Sequence, residues 1–103
     1  MILIFLKNEF IVFTGTLSTM TRKQAQGIVS ALNGTNQSSI TKQTTILVIG
    51  YQQTNLLDNQ QQPKKVINAL YNRRKLSQNI KLISEKEFIT LITKDFQSLL
   101  NNL

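Results

Sequence analysis

The feature that most restricts the fold of this chain is a nearly continuous apolar run of strand-forming residues, 44–49 (TTILVI), which ends at Gly50. A strand with one face in water alternates apolar and polar residues. This run does not, which is typical of a strand that is covered on both faces. The sheet that contains it is therefore expected to be covered on both sides. With 103 residues, the chain has room for one such domain, residues 1–103, and for no second core.

Segments typical of strands and helices alternate along the rest of the chain. The further strand-like segments are residues 9–14, 35–37 and 80–83, and helices are expected to begin after Thr21, at Pro63 and after Ser84. Residues 51–62 show no periodicity and are predicted to form a loop. The predicted order is β-α-β-β-α-β-α, which favours a parallel sheet covered by helices.

The predicted helices carry signals for their starts and for their buried faces. Residues 21–24 and 84–87 match the capping box, in which a hydroxyl residue and a Gln or Glu three positions later bond each other's backbone N–H groups. The first helix is expected to end at Asn33-Gly34. The apolar faces are formed by Ala25, Ile28, Val29 and Leu32, by Val66, Ile67, Leu70 and Tyr71, and by Phe88, Leu91, Ile92, Phe96 and Leu99.

The first six residues, MILIFL, are apolar but too few for a bilayer span of about 20 residues or for a signal peptide. We expect a short strand or a segment packed at the domain edge. The alternative is that these residues mark the boundary of a domain cut out of a longer protein. We predict no membrane partner and a cytoplasmic location.

The chain contains neither Cys nor His. This excludes disulfides, thiolate or imidazole metal sites, and nucleophiles activated by histidine. No phosphate-binding loop of the G-x-x-x-x-G-K-[ST] type is present either. We therefore predict no catalytic residue, no metal site and no cofactor, and any catalytic activity would belong to other domains of a parent protein.

Positive charge dominates the middle of the chain. Twelve Lys and Arg residues against five Asp and Glu residues give a net charge of +7, and residues 10–57 and 59–84 contain no acidic residue. Such a field attracts phosphate-rich partners. A surface that is charged only for solubility is the alternative interpretation of the charge.

Five blocks of the sequence, taken together and in order, resemble a BRCT domain. They are residues 10–17 (FIVFTGTL), 21–25 (TRKQA), 33–34 (NG), 39–50 (SITKQTTILVIG) and 81–88 (KLISEKEF). The resemblance covers about residues 8–95. Within it the sequence is similar to the bacterial single-copy BRCT domains of NAD-dependent DNA ligases and of exonucleases related to the polymerase III epsilon subunit. It implies an α/β fold with a four-stranded parallel sheet in the order 2-1-3-4, the first and third helices on one face and the second on the other.

The implied strand order opens a crevice at the C-terminal end of the first strand, where ligands of open α/β sheets bind. BRCT domains that bind phosphate build their pocket there from a hydroxyl residue, a glycine and a helix lysine. The matching residues are Thr14, Gly15 and Lys65, with Lys64 in place of Lys65 if the register shifts by one. The alternative for Thr14 and Gly15 is a role in folding alone, in which Thr14 closes the strand end and Gly15 permits the turn. Arg22 matches an arginine that clamp-loader-type BRCT domains use on DNA.

Other residues have two interpretations. Arg73 and Arg74, followed by Lys75, would lie near the end of the second helix, either as solvated charge or as contacts to the DNA backbone. Lys42 and Thr16 are further candidates for such contacts. Phe88 matches an aromatic residue of the third helix and is expected in the core.

The resemblance and the charge together predict a non-catalytic module that binds phosphate-bearing DNA, either a 5′-phosphorylated end or a nick. It would act in DNA replication or repair, as part of a DNA ligase or exonuclease or alongside one. The alternative is a protein-interaction module, with or without phosphopeptide recognition, that recruits a repair or replication partner.

Overall fold

The computed structural model describes residues 3–51 and 64–103. Within these ranges the elements follow the predicted order of strands and helices. They are β1 (Phe10–Thr14), α1 (Arg22–Ala31), β2 (Thr35–Gln37), β3 (Ile46–Ile49), α2 (Lys64–Lys75), β4 (Lys81–Ser84) and α3 (Glu85–Asn101). β2 has the predicted bounds, and the other three strands differ from the predicted ones by one or two residues, because hydrogen-bonded pairing rather than composition decides where a strand begins.

The strands form one parallel sheet in the order β2-β1-β3-β4. The predicted fold class is therefore confirmed. In the two central strands Ile11 pairs with Ile46 and Thr14 with Ile49, so β1 and β3 end at the same edge of the sheet. Residues 46–48 are buried, as expected for a strand that is covered on both faces.

Each face of the sheet has its own hydrophobic core. On one face Phe13 and Val48 pack with Val29 of α1 and Phe88 of α3. Phe88 is fully buried and its ring meets that of Phe13 edge-on, with the centroids 5.4 Å apart. The expected core position of Phe88 is therefore confirmed, as is the placement of the first and third helices on one face.

Helix α2 covers the opposite face, where Ala69 packs with Val12, Leu47 and Ile80. The predicted apolar face of this helix is wrong in part. Ile67 and Tyr71 are 49% and 58% exposed, because the small side chain of Ala69 makes the closest contact with the sheet and turns these two residues towards solvent.

Helix α1 begins and ends through local interactions. Thr21 and Ser84 are the N-caps of α1 and α3, and both predicted capping boxes are present. At the C-terminus of α1, Asn33 rather than Gly34 adopts the left-handed conformation, with φ 67°. Gly34 is needed for packing instead, since a Cβ atom there would lie 2.7 Å from Val29 Cγ1.

Residues 3–6 pack against the first core without forming a strand. Leu6 is buried, and its N–H donates to the carbonyl of Leu32 at 3.0 Å. For residues 3–6 this agrees with the expected segment packed at the domain edge, whereas residues 1 and 2 lie outside the described residues. The predicted loop beyond Tyr51 and the predicted helix start at Pro63 lie outside the described residues. Across residues 3–51 and 64–103, no helix is both long and apolar enough to cross a bilayer.

Candidate phosphate-binding site

The turn that follows β1 brings backbone and side-chain groups together at the C-terminal edge of the sheet. Gly15 has φ 79°, a conformation that costs a residue with a Cβ atom about 1–2 kcal/mol. Thr16 and Tyr51 exchange two backbone hydrogen bonds of 2.8 Å each, which join the ends of the two central strands. A Cβ atom at Gly50 would lie 2.7 Å from Thr16 O, so the approach of these segments requires a glycine there.

Thr14 occupies the last position of β1 and is 7% exposed. Because alternate side chains of a strand share a face, Thr14 is on the same face as Val12, which is the face covered by α2. Its carbonyl accepts a hydrogen bond of 2.8 Å from the Gly50 N–H. The hydroxyl residue thus stands where β1 meets the first turn of α2.

Lys65 reaches this place from α2. It lies one helical turn before Ala69, whose contact with the sheet fixes the register of the helix. The Lys65 Nζ atom donates to the carbonyl of Phe13 at 2.9 Å, so its ammonium group lies at the end of β1. Lys64 is exposed. Of the two registers considered for this lysine, the structure brings Lys65 to the strand end.

Arg22 reaches the same turn from the opposite side. The Thr21 cap makes Arg22 the first residue of α1, and its Nη2 atom donates to the carbonyl of Gly15 at 2.6 Å. Sequence reasoning treated Arg22 as a contact to DNA outside the phosphate pocket. The structure brings it to the same strand end as Lys65, since Lys65 bonds the carbonyl of Phe13 in β1 and Arg22 bonds that of Gly15, two residues further along.

The two cations are close enough to repel each other. The pKa of Lys65 is lowered from its ordinary value, first by burial and second by the charge of Arg22. Neither cation forms an ion pair with an acidic residue of the described part of the chain. A lysine ammonium has three donors and a guanidinium five, so each keeps donors beyond the one bonded to the backbone. The arrangement can therefore donate hydrogen bonds to the oxygens of an anion.

Glu85 holds the loop between Gly15 and Arg22, a role that sequence reasoning missed. Its carboxylate accepts hydrogen bonds from the Ser18 N–H at 2.8 Å, the Thr19 N–H at 2.9 Å and the Thr19 hydroxyl at 2.6 Å. The bond from the Ser18 N–H, followed by those from Thr19, lowers the pKa of Glu85 to about 2. The partners are 67 and 66 residues apart, and no local pattern signals such a contact.

The remaining basic candidates lie at the other end of the sheet. Lys42 precedes β3, and together with Gln78 it lines a cavity at the N-terminal ends of the strands. Arg73 and Arg74 lie in the last turn of α2, about 12 Å along the helix from Lys65. The structure therefore separates these three residues from Thr14, Gly15, Arg22 and Lys65. Their contact with a DNA backbone stays a prediction.

The described ranges contain no group of three or more residues able to hold a metal ion. The parallel sheet, the helices on both of its faces and the paired cations define an α/β domain with a candidate anion site at the C-terminal edge of the sheet. Residues 5–92 match the BRCA1 C Terminus (BRCT) domain family. The chain belongs to this family.

Similar proteins include DNA ligases of bacteria. The chain is 36% identical over 86 residues to the DNA ligase of Phytoplasma mali, which covers 84% of this chain and 11% of that protein. It is 38% identical over 81 residues to the DNA ligase of Hydrogenobaculum sp., which covers 79% of this chain and 10% of that protein. The chain thus spans about a tenth of the length of these relatives.

The C-terminal BRCT domain of human XRCC1 has a similar fold. The two structures superpose with a TM-score of 0.63 over 91% of this chain and 84% of the other, at 12% sequence identity. At this identity the similarity concerns the fold, and it agrees with the family assignment.

Proposed function

We propose that this BRCT domain is a non-catalytic module that binds the phosphate of a 5′-phosphorylated DNA end or nick. The observation that carries the proposal is the convergence of Arg22 and Lys65 on the turn at Gly15. Two cations held together without an acidic partner in the described residues are costly for the folded protein. A bound anion relieves this cost.

A terminal phosphate suits the site better than an internal one. A phosphomonoester carries a charge of about −1.5 to −2 at neutral pH and presents three acceptor oxygens, whereas an internal phosphodiester carries one charge. Lys65 and Arg22 can donate to different oxygens of one terminal phosphate, and Thr14 is the last residue of the strand whose end both side chains reach. Hydrogen bonds between charged groups are stronger than neutral ones.

The net charge of +7 supports DNA as the carrier of that phosphate. The similarity to DNA ligases supports a role in DNA replication or repair, within a longer ligase or exonuclease or beside one. In this proposal the chemistry of such an enzyme lies outside these 103 residues. The expected cytoplasmic location stays a prediction.

The test compares two duplexes that differ only in a 5′-phosphate or a 5′-hydroxyl at the end remote from a fluorescent label. Fluorescence anisotropy is measured at two salt concentrations. We expect tighter binding of the phosphorylated duplex, and affinity for both duplexes should fall steeply with salt because most contacts are to phosphates. Equal affinity for the two duplexes at both concentrations would contradict the end-specific site, and an affinity insensitive to salt would contradict DNA binding itself.

A further inference from the structure

A groove of about 410 Å³ lies between β4 and α3, on the face of the sheet opposite α2 and therefore away from Lys65. Ile46, Ile83 and Leu91 contribute its apolar surface. Ile46 is buried beneath the neighbouring chain segments, whereas Ile83 and Leu91 are half-buried. A groove of this volume with apolar lining residues has room for one apolar side chain.

The strand beside the groove has an open edge. Among the described strands, β4 pairs with β3 alone. The Lys81 N–H donates to Thr45 O, on the β3 side, at 2.9 Å. Because successive backbone groups of a strand point in opposite directions, the N–H and C=O groups of Leu82 point towards the open edge. The next outward N–H, that of Ser84, is bonded to the Glu87 carboxylate at 3.2 Å, so Leu82 is the residue of β4 that offers both groups.

The rim of the groove is positively charged. Lys81, Lys86 and Lys94 line it, and none of them forms an ion pair with an acidic residue of ranges 3–51 and 64–103. Glu9 and Glu87 also line the groove, so three lysines against two glutamates leave it a net charge of +1, and the Glu87 carboxylate accepts a hydrogen bond from the Ser84 N–H at the start of α3. The available charge therefore complements an acidic partner.

The same charge argues against a second copy of this chain as the occupant. Pairing of two β4 edges would bring the rim lysines of one copy against those of the other, and opposed like charges are destabilising. An extended peptide with acidic side chains avoids this repulsion. It can also satisfy the open backbone groups of the edge strand, which is a known way for domains to bind peptides.

We propose that the groove between β4 and α3 binds an extended acidic peptide. Its backbone pairs with Leu82, an apolar side chain enters between Ile83 and Leu91, and acidic side chains on either side meet the rim lysines. This site is separate from the candidate phosphate site and does not depend on DNA binding.

The probe is a capped heptapeptide in which threonines alternate with Glu, Leu and Glu in that order, so that the latter three side chains share one face of the extended chain. It is titrated into the full chain while amide shifts are recorded by NMR. We expect saturable shifts at residues 81–84 and 91. The Lys94→Glu variant should bind about threefold more weakly or worse, since it replaces an attractive pair with a repulsive one.

Matched controls isolate each part of the proposal. Lys64→Glu makes the same change of charge on the opposite face and should leave peptide affinity unchanged. A peptide with Lys in place of Glu, one with Asn in place of Leu and one with a fully N-methylated backbone should each bind more weakly. Four results would overturn the proposal. They are the absence of a saturable shift at residues 81–84, equal binding of the Lys-substituted or N-methylated peptide, self-association through β4, and shifts at residues 81–84 when duplex DNA alone is added.

Discussion

Replacement of Lys65 with alanine is expected to remove most of the preference for a 5′-phosphorylated end while leaving other DNA binding in place. The Lys65 Nζ atom is held 2.9 Å from Phe13 O, so its ammonium group is positioned before a ligand arrives. A hydrogen bond to a charged group contributes about 1.5–3 kcal/mol. Because about 1.4 kcal/mol corresponds to a factor of ten, affinity for the phosphorylated duplex should fall about 10- to 100-fold.

Lys64 supplies the matched control, because it has the same charge, adjoins Lys65 in sequence and is exposed. An exposed cation contributes about 0.2–1 kcal/mol to a pair. Lys64→Ala should therefore weaken the binding of both duplexes by less than about fivefold and to the same degree. In a plot of log affinity against log salt, Lys65→Ala should reduce the slope for the phosphorylated duplex by about 0.9, the loss of one phosphate contact.

The assay is the anisotropy titration of the two duplexes with the wild-type chain and both variants. Circular dichroism melts show whether each variant is folded at the assay temperature, and Lys65→Met, which keeps an apolar stem, replaces the alanine variant if it is not. A loss that is the same for phosphorylated and hydroxyl ends, or a larger loss for Lys64→Ala than for Lys65→Ala, would refute the reasoning.

Three further predictions concern the framework of the site. Gly15→Ala should lower the free energy of unfolding by about 1–2 kcal/mol because of the positive φ, whereas Gly27→Ala, in an open position within α1, should raise it by about 0.5–1 kcal/mol in urea titrations. Phe88→Ala should cost about 3–5 kcal/mol by the same measurement, and a loss no greater than that of the partly exposed Phe96→Ala would count against its core role. The pKa of Glu85 is about 2 in the folded protein instead of 4.5. The contribution of the ionised carboxylate to the stability of the fold is therefore complete above pH 4.5 and is lost as pH falls towards 2. The melting temperature of the wild type should therefore fall more over this range than that of Glu85→Gln, and parallel curves would show that the Ser18 and Thr19 contacts do not stabilise the fold.

The sequence by itself determined the elements whose causes are local. The apolar run of residues 44–49 predicted a strand covered on both faces, and residues 46–48 are buried in β3. The capping boxes at Thr21 and Ser84 predicted where α1 and α3 begin, because a capping box is complete within four residues. The strand order followed from the resemblance of five blocks to a known family, since periodicity does not specify which strands are neighbours.

Only the tertiary structure decided which side chains meet. Arg22 and Lys65 belong to different helices on opposite faces of the sheet, and they converge because both helices begin near the turn at Gly15. Glu85, in a third helix, bonds the loop that joins this turn to α1. Ile67 and Tyr71 fit a buried stripe by spacing alone, yet they face solvent because the contact of Ala69 sets the rotation of α2. Spacing along the chain describes one element at a time, whereas the position of a side chain in the site depends on how separate elements pack.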